Sequence, residues 1–354
     1  MSLKYPRLMS CKIMSRCVIV AVCTFTLACS KTPEMTKISG FAQGTTYNLT
    51  FAIPAEAEVT SGTIETAISD ELARMDKVLS NYRDDSVIEQ FNAQQNTEAH
   101  TVDAELVQLV EIARSVHRAS NGCYDLTIKP LFDLWGFKND VFTPPSEDAL
   151  GVTLASVGLD NLETLSPTQL RKQLPNLRVD VSSIGQGYAV ERMVEILERH
   201  GIHNYLVEIG GELKIKGKKT NGEAWRIAVE KPLPNERKMH KVVSFDSGEP
   251  MSLIGSGTYR HFFDDKGKRY SHILDARTGK PVEHNTVSVT LLTPDATLGD
   301  AWSTAFSCLG SREGLKVADK HNLAVLFIDQ DGEQLIETES AALKALTGVS
   351  FKNP

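Results

Sequence analysis

The sequence predicts an α+β fold, with mixed, largely antiparallel sheets and flanking helices in a single compact unit. Three observations support this class. Segments that alternate apolar and polar residues, as half-buried strands do, outnumber the helical segments. They follow one another between residues 204 and 292, whereas regular βαβ repetition would separate them with helices. No internal repeat or low-complexity tract divides the chain after its N-terminal region.

The first elements after the N-terminal region are a hairpin and two helices. "ISGFAQGTTYNLTFAI" alternates apolar and polar residues around Gly44, which is typical of a hairpin. In "GTIETAISDELARMDKVLS", the apolar residues from Ile64 to Leu79 recur at three- and four-residue steps. A second amphipathic helix has an apolar stripe from Leu106 to Val116. It is predicted to stop at Asn121–Gly122, because glycine commonly terminates helices.

The remaining segments complete a mixed pattern. "CYDLTIKPLFDLWGF" is interpreted as a strand that leads into a short aromatic-rich turn or helix, and "LRVDVSSI" as another strand. "GYAVERMVEILERHG" has the period of a helix closed by Gly201, and "TLGDAWSTAFSCLG" is predicted to be helical despite Gly299. Seven further strands are predicted: "NYLVEI", "ELKIKGK", "AWRIAVE", "TYRHFF", "RYSHIL", "TVSVTLL" and "LAVLFID".

Residues 1–28 have the pattern of a secretory signal peptide, with basic residues, then an apolar run from Cys17 to Ala28, and no acidic residue. The run is too short for a comfortable transmembrane span. It ends in "TLAC", which resembles a bacterial lipobox, so Cys29 is predicted to carry lipid at the new N-terminus. The alternative is an ordinary soluble export signal. We expect residues 29–37 to form a polar tether and residues 38–354 to form the folded domain.

The charge of the chain argues against nucleic acid as a partner. The full sequence has a net charge of −7 at pH 7. Residues 1–28 contain four basic residues and no acidic one, so their removal leaves 34 Lys and Arg against 45 Asp and Glu, a net charge of −11. Such a surface repels a phosphate backbone.

The cysteine content excludes small disulfide-rich folds and folds built around a zinc ion. Of six cysteines, three lie within residues 1–28 and Cys29 is the predicted lipid site. Cys123 and Cys308 remain, far apart in the sequence. Two such residues form neither a disulfide framework nor a zinc site, and a single bridge between them stays open.

The stretch "DVSSIGQGYAVERM" places Gly185 and Gly187 between a predicted strand and a predicted helix. Glycines let the backbone approach a ligand closely, and a helix beginning near Tyr188 would offer free N–H groups to a phosphate. The spacing is not a Rossmann fingerprint, because Val190 occupies the third glycine's position. It is not a P-loop either, because no Gly-Lys-Ser/Thr follows. A phosphate site and a structural turn are both compatible with this motif.

The segment "GDAWSTA" is a candidate metal site. Asp300 lies four residues before Thr304 and three before Ser303 on a predicted helix, so the three oxygens can face one side. Oxygen ligands of this kind suit a hard cation such as Mg²⁺, which commonly keeps water and substrate phosphates in its shell. The alternative is a buried Ser/Thr pair that bonds back to the carbonyl groups of its own helix.

Four further side chains are candidates for chemistry or ligand contact. In "RYSHILDARTGKPV", His272 is placed to act as a base, with Asp275 orienting it or binding a second metal. The alternative is a half-buried histidine that forms hydrogen bonds within the fold and has no catalytic role. Tyr82 and Tyr124 are suited to stack on a planar ring, although aromatic residues beside helices and strands most often belong to the core.

Seven blocks in chain order resemble the ApbE family, the FAD:protein FMN transferases. The resemblance runs from about Gly40 to about Asp329, which covers nearly the whole chain after the N-terminal region. An ordered set is far more specific than any one of its members. The blocks are "GTTY", "LSNYRDDSVIEQFN", "YDLTIKPLFDLWGF", "DVSSIGQGYAVERM", "EIGGELKIKG", "SGTYRHFF…YSHILDARTGKPV" and "DAWSTAFSCLG".

The resemblance implies an exported enzyme, often a lipoprotein, with residues 38–354 as an ApbE-like flavin transferase domain. Such an enzyme binds FAD and Mg²⁺ and attaches FMN through a phosphoester to a Thr (or Ser) hydroxyl of an acceptor protein, releasing AMP. The implied acceptors are exported or membrane subunits of redox pumps of the sodium-translocating NADH:quinone reductase or Rnf type. The implied location is a bacterial membrane, reached through the lipid anchor and facing the periplasm.

The resemblance also implies roles for individual positions. His272 matches the histidine that activates the acceptor hydroxyl, and Asp275 follows it. Gln186 stands where a charged residue is common in the family. The positions at or beside the metal are Ser183, the Gly185 carbonyl, Asp300, Ser303 and Thr304. The positions that match FAD contacts are Gln43, Tyr82, Tyr124, Asp125, Asp180, Gln186, Ile273 and Leu274.

Two alternative functions would use the same site. In a Mg²⁺-dependent FAD pyrophosphatase, water would replace the protein hydroxyl and free FMN and AMP would be released. A non-catalytic flavin-binding lipoprotein would store or deliver FAD. The presence of Asp300, Thr304 and His272 argues against the second alternative, because storage requires neither a metal site nor a base.

Overall fold

A computed structural model describes residues 1–3, 35–137, 141–142, 144–233, 238–259, 262–265 and 268–354. Apart from residues 1–3, the predicted signal peptide lies outside the described residues, and so does Cys29. Met35–Lys37, predicted as the end of the tether, already belong to the first strand. The chain divides into the units 1–31 and 32–354, and the second contains every described helix and strand.

The described residues form eight α-helices and eighteen strands. The helices are α1 Ser61–Leu79, α2 Val87–Ala93, α3 Ala104–Ala119, α4 Lys129–Leu134, α5 Glu147–Leu154, α6 Gly185–Arg199, α7 Ala296–Lys320 and α8 Ala341–Ala345. The strands are β1 Met35–Ala42, β2 Thr45–Ala52, β3 Ala99–Thr101, β4 Leu162–Ser166, β5 Gln169–Lys172, β6 Tyr205–Ile209, β7 Glu212–Lys216, β8 Trp225–Glu230, β9 Met239–Phe245, β10 Met251–Gly257, β11 Phe262–Asp265, β12 Lys268–Ser271, β13 Leu274–Asp275, β14 Lys280–Pro281, β15 Thr286–Thr293, β16 Ala324–Asp331, β17 Gln334–Glu339 and β18 Val349–Lys352.

The central sheet has eight strands in the order β1-β2-β6-β7-β10-β15-β16-β17. Every neighbouring pair in it is antiparallel. Two three-stranded sheets, β18-β9-β8 and β3-β5-β4, and two short hairpins complete the described strands. The predicted α+β class with largely antiparallel sheets is therefore confirmed.

The first hairpin turns as the sequence predicts. Gln43 and Gly44 connect β1 to β2 with φ angles of 50° and 73°, and Ala42 pairs with Thr45. Two successive positive φ angles match the right-handed twist of the strands that flank a two-residue turn. This turn places Gln43 at the end of the sheet.

The central sheet is buried on both faces, as the side chains of β16 show. Val325 and Phe327 belong to the larger apolar core, together with the buried faces of α1, α3, α6 and α7. Leu326 and Ile328 belong to a second core, together with Trp225 and other apolar residues of the sheet β18-β9-β8. Alternation along a strand sends successive side chains to opposite faces. Helices thus cover one face and a small sheet covers the other.

The helices α6 and α7 pack against each other, and α7 also packs on β10, β15 and β16. Gly299 permits this close approach, because a Cβ atom there would lie 2.6 Å from Thr293 Cγ2 and 2.9 Å from Ile254 Cγ1. α7 extends to Lys320, beyond the predicted segment, and is interrupted at Gly310, which has a φ of 70°. The part of α7 before Gly310 therefore lies against the sheet as a regular helix.

The prediction of a strand at "LRVDVSSI" is wrong. The segment 177–184 has no strand neighbour among the described residues, and asparagine side chains bind its backbone instead. The N–H of Val179 donates to Asn92 Oδ1 (2.7 Å), and the N–H of Val181 donates to Asn81 Oδ1 (2.9 Å). Two side chains from another part of the chain thus replace a neighbouring strand.

The strand predicted at the start of "CYDLTIKPLFDLWGF" is wrong as well. Asp125 is followed by a 3₁₀ turn at Leu126–Ile128 and then by α4. The carboxylate of Asp125 accepts hydrogen bonds from the N–H (2.7 Å) and the hydroxyl (2.6 Å) of Thr127. Such short-range bonds favour a turn over an extended strand.

The helices predicted at α1, α3, α6 and α7 are confirmed. α2, α5 and α8 were not predicted, and neither was the sheet β3-β5-β4. The predicted strand "TYRHFF" is corrected in part, because β10 ends at Gly257 and β11 begins at Phe262, with residues 260–261 outside the described ranges. Within those ranges, none of the helices combines the length and the apolar character that a membrane span requires.

Candidate active site

A cavity of 340 Å³ lies where several segments of the fold meet. Its lining residues come from the loop and helix at residues 123–137, the segment 180–186, the β6–β7 turn, β10, the segment 272–274 and α7. A second cavity of 520 Å³ shares Tyr82, Ser182 and Gln186 with it. Cavities of this size accommodate ligands as large as cofactors.

The structure brings nearly all of the predicted site residues to these two cavities. Of the described candidates, Asp275 is the one that lines neither. Gln43 and Gly185 line the second cavity. The first cavity is lined by Tyr82, Tyr124, Asp125, Asp180, Ser183, Gln186, His272, Ile273, Leu274, Asp300, Ser303 and Thr304.

Asn81 and Asn92 fix the segment that carries Asp180. The side-chain amides of both residues donate to the carbonyl oxygen of Val179, at 2.9 and 2.8 Å, while their oxygens accept from the backbone as described above. Asp180 is held further because its N–H donates to the Leu126 carbonyl (2.7 Å). The segment is thus anchored at consecutive residues immediately before the turn that leads into α6.

The two glycines of "SSIGQGY" have different surroundings. α6 begins at Gly185 rather than near Tyr188. The N–H of Gly187 donates to Asp300 Oδ2 (2.8 Å), and a Cβ atom at Gly187 would lie 2.2 Å from the Ala296 carbonyl oxygen. Gly187 therefore lets α6 approach α7, whereas Gly185 has no neighbour of this kind within 4 Å and faces the second cavity.

Asp300 is one of the buried acids that line the first cavity, and only 6% of the residue is exposed. Burial raises the pKa of its carboxyl to about 7, and hydrogen bonds from the backbone of Gly187 and Gln186 oppose this rise. Among the described residues, no Lys, Arg or His side chain contributes to the shift. A buried carboxylate without a cationic partner is costly, so this position suits a bound cation.

Three hydroxyl groups line the first cavity together with Asp300. Ser303 is fully buried, and its hydroxyl donates to the Asp300 carbonyl (2.9 Å), which is the back-bonding that the sequence left as an alternative. This bond uses the proton of the hydroxyl, so the lone pairs of its oxygen remain able to bind a cation. Ser183 donates to the hydroxyl of Tyr124 (3.2 Å). With Thr304, these groups offer oxygen atoms of the kind that a hard cation prefers as ligands.

Two tyrosines that line the first cavity differ in exposure. Tyr82 is 79% exposed and lines both cavities. Tyr124 is buried, and burial, more than any neighbouring charge, raises the pKa of its phenol, so its hydroxyl stays protonated. An exposed aromatic ring beside a cavity is suited to stack on a planar ligand.

The carboxylate of Asp125 supports the fold around the cavity. Besides its bonds to Thr127, it accepts a hydrogen bond from the N–H of Leu159 (2.8 Å) and lies 3.3 Å from His117 Nδ1. Both oxygens are thus engaged within the protein. Asp125 lines the cavity, but its carboxylate oxygens already accept hydrogen bonds from neighbouring groups of the protein.

His272 lines the first cavity from the segment between β12 and β13 and is partly exposed. Ile273 anchors this segment, because its N–H donates to the Ser271 hydroxyl (3.0 Å) and its carbonyl accepts from Val282 (3.0 Å). The carboxylate of Asp275 instead accepts hydrogen bonds from the guanidinium of Arg277, at 2.7 to 3.1 Å. The structure therefore links Asp275 to the turn after β13.

Several cavity residues were not predicted. Glu212 is buried, and its carboxylate accepts from the N–H of Gly255 (3.0 Å). Glu212 lies in the block "EIGGELKIKG", whose resemblance to the family implies no role for this side chain. Phe132 and Phe137 add apolar surface. Cys123 and Cys308, which also line the cavity, form a disulfide, so the bridge that the sequence left open is present.

We expect Asn81→Ala to lower the free energy of unfolding by about 2–4 kcal/mol, because the buried N–H of Val181 would lose its acceptor, and the carbonyl of Val179 and the carboxylate of Glu89 would each lose one hydrogen bond. Chemical denaturation measures this loss. The matched control is Asn48→Ala, which removes an exposed hydrogen bond to Glu208 and should change stability by less than about 0.5 kcal/mol. Equal stability of the two variants would contradict the anchoring role of Asn81.

Comparison with known proteins agrees with this architecture. The model of the ApbE family matches residues 43–327. The FAD:protein FMN transferase of Haemophilus influenzae is 35% identical over 350 residues, which cover 95% of this chain and 98% of the relative. That of Escherichia coli strain K12 is 32% identical over 352 residues, which cover 96% and 99%.

Solved structures show the same fold. The flavin transferase ApbE from Vibrio cholerae superposes with a TM-score of 0.80 at 32% identity, over 88% of this chain and 99% of that one. The flavinyl transferase ApbE from Pseudomonas stutzeri, in its apo form, has a TM-score of 0.81 at 32% identity, over 89% and 98%. The protein is therefore an enzyme of the transferase class. It belongs to the ApbE family.

Proposed function

We propose that this enzyme transfers the FMN moiety of FAD to a Thr (or Ser) hydroxyl of an acceptor protein, with Mg²⁺ bound and AMP released. The observation that carries the proposal is the buried Asp300, which has no described cationic partner and opens into a cavity together with His272. A carboxylate that can bind a cation and a histidine that can accept a proton are groups that can serve phosphoryl transfer.

The donor set around Asp300 fits Mg²⁺. Asp300 would supply the formal negative charge, with the Thr304 and Ser303 hydroxyls, Ser183 and the Gly185 carbonyl as neutral oxygens at or beside the ion. Mg²⁺ at this position would neutralise part of the negative charge that develops on the pyrophosphate during cleavage. A site with sulfur or imidazole ligands would favour another metal, but the sulfur atoms nearby are bound in a disulfide.

The two cavities fit a ligand with two planar parts joined by a pyrophosphate. They share Tyr82, Ser182 and Gln186, so one ligand can pass from one cavity into the other. The exposed ring of Tyr82 and the apolar side chains of Ile273 and Leu274 suit aromatic ring systems. Asp180, Gln186 and, in the second cavity, Gln43 supply polar groups that orient such a ligand.

The residues of the chain would act as follows. His272 accepts the proton of the acceptor hydroxyl, whose oxygen then attacks the FMN-side phosphorus. A new O–P bond forms as the bond from this phosphorus to the bridging oxygen breaks, and AMP leaves with that electron pair. Asp125, Asn81 and Asn92 keep the surrounding segments in place. This route requires no covalent enzyme intermediate.

One experiment separates this function from its two alternatives. Purified protein is incubated with FAD, Mg²⁺ and a candidate acceptor, and flavin fluorescence of the denatured acceptor is measured together with AMP. Transfer gives a fluorescent acceptor and an equal amount of AMP. AMP and free FMN without acceptor labelling would instead identify a pyrophosphatase, and FAD binding without AMP would identify a carrier.

The acceptor and the location are part of the proposal. Exported or membrane redox-pump subunits, of the sodium-translocating NADH:quinone reductase or Rnf type, would receive FMN at the periplasmic side of a bacterial membrane. The signal pattern of residues 1–28 supports export. The disulfide between Cys123 and Cys308 also supports it, because such bonds persist in oxidising compartments.

If Cys29 carries the lipid anchor, Cys29→Ser should release the protein from membranes or leave it uncleaved, because the thiol that receives lipid is absent. Detergent partitioning and the mass of the N-terminal peptide measure this change. FMN transfer by the purified variant should equal that of the wild type. Identical partitioning of both proteins, with no lipid mass at residue 29, would reject the anchor.

A further inference from the structure

The disulfide between Cys123 and Cys308 is part of the wall of the first cavity. It connects residues 185 positions apart in sequence, with 6.0 Å between their Cα atoms. Both residues line the cavity, and they are 1% and 4% exposed. The bond therefore lies among the groups assigned to transfer, although the proposed chemistry does not use it.

On one side, the disulfide holds the helix that carries the metal-site residues. Cys308 lies four residues after Thr304 and eight after Asp300, and residues at this spacing share one face of a helix. Two residues later, α7 is interrupted at Gly310. Cys308 thus attaches the last turn of the regular part of α7 to the cavity wall.

On the other side, the disulfide holds the segment that leads to Tyr124. The N–H of Tyr124 donates to the Ser120 hydroxyl (3.2 Å), and the hydroxyl of Tyr124 accepts from Ser183 (3.2 Å). The carbonyl of Cys123 accepts from the N–H of Ala276 (3.4 Å). Hydrogen bonds therefore connect Cys123 and Tyr124 to the turn before α6 and to the segment after His272.

We propose that the Cys123–Cys308 disulfide is a positioning element for the transfer reaction. It fixes the distance between the wall at Tyr124 and the face of α7 that carries Asp300 and Thr304. In-line displacement requires the reacting groups to be aligned closely, and a misplacement of about 1 Å can lower a rate a hundredfold. This inference rests on the proposed function, because that function requires FAD and the cation to bind between Tyr124 and the face of α7 that carries Asp300.

Reduction of the folded protein provides the first test. One molecule of dithiothreitol supplies two electrons and two protons, so the S–S bond is replaced by two thiols and the reagent leaves as its cyclic disulfide. The carboxylate of Asp275 lies within 4.8 Å of both sulfur atoms. Because two thiols and a carboxylate bind soft metals, trace metals are removed from the buffers before Mg²⁺ is added.

The expected result is a lower rate with a higher Mg²⁺ requirement. At 25 °C, reduced protein should transfer FMN at least about tenfold more slowly, and half-maximal activity should need several times more Mg²⁺, whereas the KM for FAD should change less. Reoxidation should restore both values. Circular dichroism and a thermal melt confirm that the reduced protein is folded at the assay temperature.

A double variant, Cys123→Ala with Cys308→Val, provides the second test. It keeps apolar side chains at both positions and removes the covalent bond. It should behave like the reduced wild type and should not respond to dithiothreitol, which controls for effects of the reagent elsewhere.

The opposite result is a purely stabilising disulfide. In that case the melting temperature falls, but the rate and the Mg²⁺ requirement of the reduced protein equal those of the oxidised protein, and the inference is overturned. Mg²⁺ affinity is also measured by fluorescence of bound FAD in both redox states. If the oxidised protein transfers no FMN, the proposed function fails. The Mg²⁺ affinity still tests the inference in that case: an equal affinity in the two redox states overturns it, and a weaker affinity in the reduced state supports it.

Discussion

Replacement of Asp300 by Asn is expected to reduce FMN transfer by at least about a thousandfold. The two side chains have nearly the same size, so α7 and its contacts with α6 should persist. The variant lacks the one formal negative charge that Asp300, Ser303 and Thr304 can offer to Mg²⁺. A strongly hydrated cation needs such a charge to compete with water. Without it, charge that develops on the pyrophosphate has no counterion.

The test compares FMN transfer and AMP release by wild type and Asp300→Asn across a Mg²⁺ titration. Asp295→Asn is the matched control, because it removes a charge from the same helix at an exposed position that caps its N-terminus. Asn also serves as an N-cap, so this control should keep near wild-type activity. Near-normal turnover by Asp300→Asn at low Mg²⁺ would show that Asp300 is not a metal ligand.

The pKa of Asp300 gives the same variant a second, independent readout. In the metal-free protein, burial raises this pKa to about 7, above the value of about 4 in an unfolded chain. The contribution of Asp300 to stability is then fully present below about pH 4 and is lost as the pH rises through about 7. Asn carries no proton to lose. Metal-free Asp300→Asn should therefore melt a few degrees above the wild type at pH 8, and this difference should shrink toward pH 5.

The elements that could be predicted from the sequence are those whose own residues have the apolar pattern of a helix or a strand. α1 and α6 each bury one apolar stripe, and β16 divides its side chains between two cores. The segment 177–184 alternates apolar and polar residues but forms no strand, because its backbone N–H groups donate to the side chains of Asn81 and Asn92. No local pattern reveals partners almost a hundred residues away.

The candidate site shows the same division. The alignment of Asp300 with Thr304 follows from helical spacing alone, and the structure places both at one cavity. By contrast, Gly187 approaches Ala296 and Asp300 rather than open space, and this depends on how α6 packs against α7. The disulfide likewise depends on a distance between two segments that spacing does not encode. Contacts within an element are predictable, whereas contacts between elements require the fold.

Replacement of His272 by Ala is expected to slow FMN transfer by about 10²- to 10⁴-fold while changing FAD affinity little. A base acts on a proton that moves only during the reaction, so its loss lowers kcat far more than it weakens ground-state binding. His272 lines the first cavity at the edge of the proposed FAD site and is partly exposed, so its removal should leave the fold intact. Rates are measured with a saturating acceptor, and FAD affinity is measured by fluorescence.

The matched control for His272 is His200→Ala, which removes an exposed histidine at the end of α6 and should retain the wild-type rate. A further readout distinguishes a base from a group that merely shapes the cavity. Added imidazole can enter the space left in His272→Ala and accept the proton, so it should restore part of the transfer rate, whereas it should not affect Asp300→Asn. A His272→Ala protein with a normal transfer rate and weak FAD binding would assign this side chain to ligand binding instead of proton transfer.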